Sequence, residues 1–280
     1  MNQRYFGKFF FVLFLSLSLS SPTASRAQQA AKAAPPAAQK LRVLFIGNSY
    51  TYVNNLPQLL TGLAASAKPA RTLETEMVTV GGATLKSLWS GGKPQEALAR
   101  GKWDYVVLQE QSTLGLPKLV DGIPQINDPK LFHEAVRMID PEIKKTGAKP
   151  LLYMTWARKD SPDKQPLLTD AYQSIGKELG DTVVPVGLAW QAVLKAKPEF
   201  ALHVSDKSHP SPAGSYLAAC VFYAVLFGQS PEGLAERITG TPMDLGGKPG
   251  ETTGELANLN KADAAFLQKV AWETVQQTRK

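Results

Sequence analysis

The sequence predicts one α/β domain of three layers, with helices covering both faces of a central parallel sheet of about five strands. Two features lead there. Short, near-continuous apolar runs recur along the chain, separated by helical patterns. Strands that are apolar on both faces belong to a parallel sheet buried between helices. Composition agrees, because 44% hydrophobic and 20% charged residues is ordinary for a globular protein with a sizeable core. No internal repeat competes with this reading.

Taken in order, Leu41 to Ile46 is the first strand, and a helix follows from about Pro57, whose missing N–H suits the first helical position. Glu76 to Val80, Tyr105 to Gln109, Pro150 to Thr155 and Thr182 to Val186 are the second to fifth strands. The clearest helices between them are Lys130 to Thr146 and Leu167 to Leu179. Another runs from about Pro212 to Phe227, with Ser211 placed to cap it and Gly228 to end it. Ser230 to Gly254 is rich in Gly, Pro and Thr and reads as surface loop. A last amphipathic helix spans about Asn260 to Gln277.

The first 27 residues read as a secretory signal. Arg4 and Lys8 precede an apolar run from Phe9 to about Leu19, and Ser25-Arg26-Ala27 offers small residues at a cleavage site after Ala27. The run is shorter than the roughly 20 apolar residues that span a bilayer, which argues against a permanent anchor. No cysteine follows it to carry a lipid. Residues 28–40, mostly Ala, Gln and Pro, have the composition of a tether, so the domain is expected over 41–280. The expectation is therefore an exported protein, periplasmic or secreted, without stable membrane insertion after cleavage. Loss of Arg4, Lys8 and Arg26 lowers the formal charge of +7 by three, too little to indicate a nucleic-acid partner. Cys220, the sole cysteine, lies in an apolar stretch and reads as a buried small hydrophobe. Oligomeric state is left open.

Ligands collect at the carboxyl ends of the strands in an open parallel sheet. The first strand ends in Gly47-Asn48-Ser49, which exposes a serine hydroxyl at the sheet edge near a helix start. Taken alone, Ser49 fits a turn or capping role as well as a nucleophile. A serine nucleophile needs a base. His133 lies among charged neighbours in a helical pattern and reads as a surface residue; His203 fits either core or site rim. His209 lies in the polar loop Ser205-Asp206-Lys207-Ser208-His209-Pro210. A carboxylate three residues earlier, Asp206, can turn back and accept the imidazole N–H, fixing the tautomer and stabilising the imidazolium.

Gly47-Asn48-Ser49-Tyr50 directly after Val43-Leu44-Phe45-Ile46 resembles the first block of the SGNH (GDSL-like) hydrolases, and Asp206-Lys207-Ser208-His209-Pro210 resembles their last. The resemblance spans about Leu41 to Phe227. It implies an α/β/α sandwich of the SGNH, flavodoxin-like kind, no metal or organic cofactor, and ester hydrolysis through an acyl-enzyme. Ser49, His209 and Asp206 are then the triad. Val80-Gly81-Gly82-Ala83-Thr84 resembles the family's glycine block, whose backbone N–H helps hold the oxyanion, with Gly82 the best fit. After the third strand the family usually places Gly-x-Asn-Asp, but this chain has Leu108-Gln109-Glu110-Gln111-Ser112. Gln109 or Gln111 carries the same amide on one more methylene and is the expected substitute, with Ser49 N–H completing the hole. Asn48, where aspartate is commoner, is expected to matter little. Trp156, right after the fourth strand, is a core residue by default and the tryptophan best placed to line a site. The resulting expectation is a carboxylic ester hydrolase removing short acyl groups, such as acetyl, from carbohydrate; a lipase or thioesterase, or a catalytically silent carbohydrate-binding protein of the same fold, are the alternatives.

Overall fold

In the computed structural model, the residues described are Gly7 and 40–279, apart from 115–118, 121–122 and 125–127. The expected signal and tether therefore lie outside the described residues, Gly7 and Lys40 excepted. Among the described residues no helix is long and apolar enough to cross a membrane.

The elements are β1 (Leu41–Gly47), α1 (Ser49–Tyr52), α2 (Leu56–Ala65), β2 (Leu73–Thr79), α3 (Leu85–Ser90), α4 (Lys93–Arg100), β3 (Tyr105–Leu108), β4 (Leu119–Val120), β5 (Ile123–Pro124), α5 (Lys130–Lys145), β6 (Lys149–Tyr153), α6 (Gln165–Leu179), β7 (Thr182–Val184), α7 (Val186–Ala196), α8 (Pro212–Phe227), β8 (Arg237–Gly240), β9 (Gly254–Asn258) and α9 (Lys261–Thr278). Five strands form one all-parallel sheet in the order β2-β1-β3-β6-β7. Two short antiparallel pairs, β4-β5 and β8-β9, stand apart from it.

Alternation along the buried strands sends side chains into two cores. Val43, Phe45, Val107, Leu151 and Tyr153 pack against α2, α7, α8 and α9. Leu44, Ile46, Val106, Leu108 and Leu152 pack against α3, α4, α5 and α6. Every one of these strand residues is at most 2% exposed, which is why the runs read as continuous apolar segments. The expected three layers are thus present.

Because β1 lies between β2 and β3, the chain leaves β1 first to one side of the sheet and later crosses to the other. This reversal opens a crevice at the carboxyl ends of β1 and β3, where an α/β sheet places its ligands.

Three expectations need correction. The fifth strand of the sheet ends at Val184 rather than Val186: Pro185 has no N–H to give a ladder, and Val186 begins α7. The second is longer and earlier than Glu76 to Val80, starting at Leu73, where one face of an edge strand stays half exposed and hides the alternation. Ser230 to Gly254 is not wholly loop, since Arg237–Gly240 pairs with Gly254–Asn258 across a register shift at Ile238 and Thr239. Ile238, Leu256 and Ala257 are the only apolar side chains of that pair that are buried, with Gly240 beside them, too few to signal a strand among so many turn residues.

The amino end of α8 is pressed against the loop that precedes it. A Cβ on Gly214 would lie 2.4 Å from the Leu202 carbonyl oxygen and 2.5 Å from the Trp190 ring. Overpacking against backbone and a buried indole costs typically about 1–3 kcal/mol. Gly214→Ala should therefore lower the thermal midpoint clearly; a melt superimposable on the unmodified protein would show that α8 is not held this closely.

Candidate active site

Asn48 caps α1 through its side-chain oxygen, which accepts the Tyr50 N–H at 3.1 Å, so Ser49 enters as the first helical residue. Its hydroxyl is 2.8 Å from His209 Nε2, although the two residues are 160 positions apart in sequence. His209 Nδ1 lies 2.6 Å from Asp206 Oδ2. An ionised carboxylate can only accept, which places the ring proton on Nδ1 and leaves Nε2 to accept from the serine hydroxyl. Asp206 Oδ1 accepts the backbone N–H of Ser208 at 2.8 Å and of His209 at 2.9 Å. Burial pushes the Asp206 carboxyl up, but the donors from the His209 ring and these two backbone groups outweigh it and hold the group below its usual value. Asp206 therefore remains an anion wherever His209 can work.

The loop that carries both residues is closed on itself. Val204 N–H donates to the His209 carbonyl, Lys207 N–H to Val204, and Ser211 N–H to Leu202. Lys207, between the two, adopts φ of +63°, a left-handed conformation costly for a residue with a Cβ. From below, Tyr50 OH and Ser208 Oγ are 2.7 Å apart, and Trp156 Nε1 donates to the Ser208 carbonyl at 3.0 Å. Tyr50, Trp156 and Trp190 form a parallel stack, at 4.7 Å and 3.9 Å between centroids, while Tyr50 meets His209 edge-on at 5.6 Å. Trp156 is only 1% exposed, so it braces the loop instead of lining the site.

His133 is set apart from this arrangement: its Nε2 is 2.7 Å from the Ala171 carbonyl at the α5–α6 interface. His203 is likewise engaged, by the Ala157 carbonyl at 3.1 Å, and burial lowers its pKa. Cys220 is fully buried, and burial pushes its thiol far up.

The glycine block forms a turn in which Ala83 N–H donates to the Val80 carbonyl, and Gly82 takes φ of +68°, where glycine is favoured. Asn48 Nδ2 donates to the Ala83 carbonyl at 3.0 Å, tying this turn to the one bearing Ser49. Asn48 thus does more than its sequence context suggested, since an aspartate could not make that donation. Neither Ser49 N–H nor Gly82 N–H donates a hydrogen bond among the described residues.

Gln109 does not serve as expected. It is fully buried, and its Oε1 accepts from the Asn48 N–H at 2.8 Å and the Thr51 hydroxyl at 2.9 Å. Both hydrogens of its Nε2 are used as well, on Asn48 Oδ1 at 3.0 Å and the Glu110 carbonyl at 2.5 Å. No hydrogen remains for an oxyanion, so Gln109 is a clamp between the ends of β1 and β3. Gln111 Oε1 accepts from the Thr113 N–H and hydroxyl, and its Nε2 makes no hydrogen bond among the described residues.

Glu110 went unnoticed in the sequence. It is 1% exposed, with Oε2 accepting the Leu85 N–H at 3.2 Å and Oε1 the Gln111 N–H at 2.6 Å. It joins the start of α3, just past the glycine block, to the chain leaving β3. Burial raises its carboxyl from 4.5 to about 7 despite these two donors.

No family model matches the chain, and no curated protein does. Solved structures do. The "putative SGNH hydrolase" of Slackia heliotrinireducens is 27% identical, with a TM-score of 0.54, covering 67% of this chain and 100% of its own. A DUF4886 family protein from Bacteroides uniformis is 17% identical over 86% of this chain and 97% of its own, with a TM-score of 0.62. The acetylxylan esterase Axe2 from Geobacillus stearothermophilus is 19% identical over 65% of this chain and 92% of its own, at a TM-score of 0.53.

Two outcomes follow from this geometry. Gln109→Ala leaves the buried Asn48 N–H and Thr51 hydroxyl without a partner, each worth about 1–3 kcal/mol, so denaturant unfolding should show a stability loss of at least about 2 kcal/mol. Lost turnover with unchanged stability would instead make Gln109 an oxyanion donor. For Glu110, the folded-state pKa is raised, so its favourable contribution is complete below pH 4.5 and is lost as pH rises through about 7. Glu110→Gln should flatten the fall in stability between about pH 5 and 8; an unchanged slope would mean that the carboxyl titrates normally.

A serine hydroxyl, an imidazole and a carboxylate meet at the switch point of a β2-β1-β3-β6-β7 sheet, in the order along the chain that the sequence blocks implied, and the similar solved structures carry the same fold: this chain belongs to the SGNH hydrolase superfamily.

Proposed function

We propose that the protein is a serine esterase, a carboxylic ester hydrolase working through an acyl-enzyme. The observation that carries this reading is the continuous hydrogen-bond line from Ser49 Oγ through His209 to Asp206. Ser49 attacks the ester carbonyl while His209 Nε2 takes its proton; Asp206 holds the ring and stabilises the imidazolium. His209 then returns the proton to the leaving alcohol, and the same sequence with water releases the acid. The N–H groups of Ser49 and Gly82, uncommitted among the described residues, serve the oxyanion, with Gln111 Nε2 as the third donor. Asn48 and Gln109 fix the distance between these turns.

The substrate in this reading is a short acyl ester, acetyl above all, on a carbohydrate. Support comes from the similarity to Axe2, which is described as an acetylxylan esterase, and from the signal-like leader, which would deliver the enzyme to polysaccharide outside the cell.

Steady-state kinetics on p-nitrophenyl acetate and on acetylated xylo-oligosaccharides test the proposal. Ser49→Ala and His209→Ala should each lower kcat by more than about 10³-fold, and Asp206→Asn by less than either. The rate should fall as the acyl chain lengthens from two carbons. Full activity in Ser49→Ala would end the serine-esterase reading; a preference for long acyl chains would end the acetyl one.

A further inference from the structure

The segment that follows β6 has two faces with different tasks. Toward the triad it supports the Asp206 loop: Lys159 N–H donates to the Lys207 carbonyl at 2.9 Å, Arg158 Nη2 to the Asp206 carbonyl at 3.2 Å, and the Ala157 carbonyl meets His203 Nε2 at 3.1 Å. The same residues also line a cavity of about 640 Å3 that contains none of the triad residues. Its apolar wall includes Leu188, Trp190 and Leu194, and Arg158, Lys159 and Lys195 bring three cations to it. No acidic residue among the described residues lines it. Arg158 Nε is 3.4 Å from Asp160, which takes up part of that charge, whereas Lys159 and Lys195 form no ion pair among the described residues.

An apolar chamber of this size with two unpaired lysines in its lining suits one chemistry: a hydrocarbon body that packs on the wall and a single anionic head that meets the lysines. We propose that this cavity binds an amphipathic monoanion, an alkyl carboxylate of medium length, and that its occupancy stiffens the loop carrying Asp206 and His209. The tail removes the exposed parts of Leu188 and Leu194 from water, and the carboxylate is held by Lys159 and Lys195. Two routes lead from there to the triad. One is the backbone hydrogen bond from Lys159 to Lys207; the other is the stack Trp190, Trp156 and Tyr50, which ends beside His209. Neither the binding nor the loop response depends on the esterase reading.

The test is calorimetric titration of the full chain with decanoate, with decanol as the neutral isostere, followed by hydrogen exchange with and without decanoate. One decanoate per chain should bind saturably, decanol at least about tenfold more weakly, and the double variant Lys159→Glu/Lys195→Glu at least about tenfold more weakly than the unmodified protein. Exchange across residues 203–210 should slow on binding. No saturable binding, equal binding of decanol, or full affinity in the double variant would overturn the site. Unchanged exchange in 203–210 with decanoate bound would overturn its link to the loop. Both Lys positions are exposed surface sites, and matching melts of the variant keep a negative result informative.

Discussion

One buried amide group governs the geometry of the site. Gln109 accepts the Asn48 N–H and the Thr51 hydroxyl and donates to Asn48 Oδ1, three bonds across the gap between β1 and β3, and its remaining hydrogen goes to the neighbouring Glu110 carbonyl. That gap exists because the strand order reverses there, and an unbridged crevice would leave polar backbone buried without partners. Asn48 carries the constraint onward, capping the helix that starts at Ser49 and holding the glycine turn through the Ala83 carbonyl. Ser49, the glycine turn and the sheet are therefore tied together, which is the preorganisation that the proposed ester hydrolysis needs at the moment charge develops.

The second half of the site reaches the serine from a loop 160 residues away, and it is held by different means. A closed loop with a left-handed residue at Lys207 is costly by itself and persists because its surroundings specify it. Those surroundings are the Ser208 contacts of Tyr50 and Trp156, the Arg158 side chain donating to the Asp206 carbonyl and the Lys159 N–H donating to the Lys207 carbonyl. Tyr50 is the link between the halves, since it follows Ser49 in sequence, packs edge-on to His209 and shares its hydroxyl with Ser208.

The sheet, α2, α5, α6 and α9 were legible because strands buried on both faces and helices with one apolar face leave periodic signals, whereas α8, buried almost all round, was legible from its long apolar run and from Ser211 and Gly228, residues suited to caps, at its ends. The β8-β9 pair was hidden among Gly, Pro and Thr, and the end of β7 depended on one proline. Ser49, Asp206, His209 and Gly82 were singled out by their place at strand ends or in a polar loop and by resemblance of short blocks. The task of Gln109 was not legible: a glutamine after a strand has the same composition whether its amide faces a substrate or is consumed by Asn48 and Thr51, and only the neighbours decide. Glu110 was missed for a related reason, because a charged residue in a short polar run reads as exposed until the helix start at Leu85 is placed over it.

The claim on which the rest turns is that Ser49 is an activated nucleophile, and covalent labelling with a fluorophosphonate followed by intact-mass and peptide analysis measures it without assuming a substrate. The account predicts one adduct per chain, located on Ser49, with labelling lost in His209→Ala. An unlabelled folded protein, or an adduct on any other residue, would contradict it.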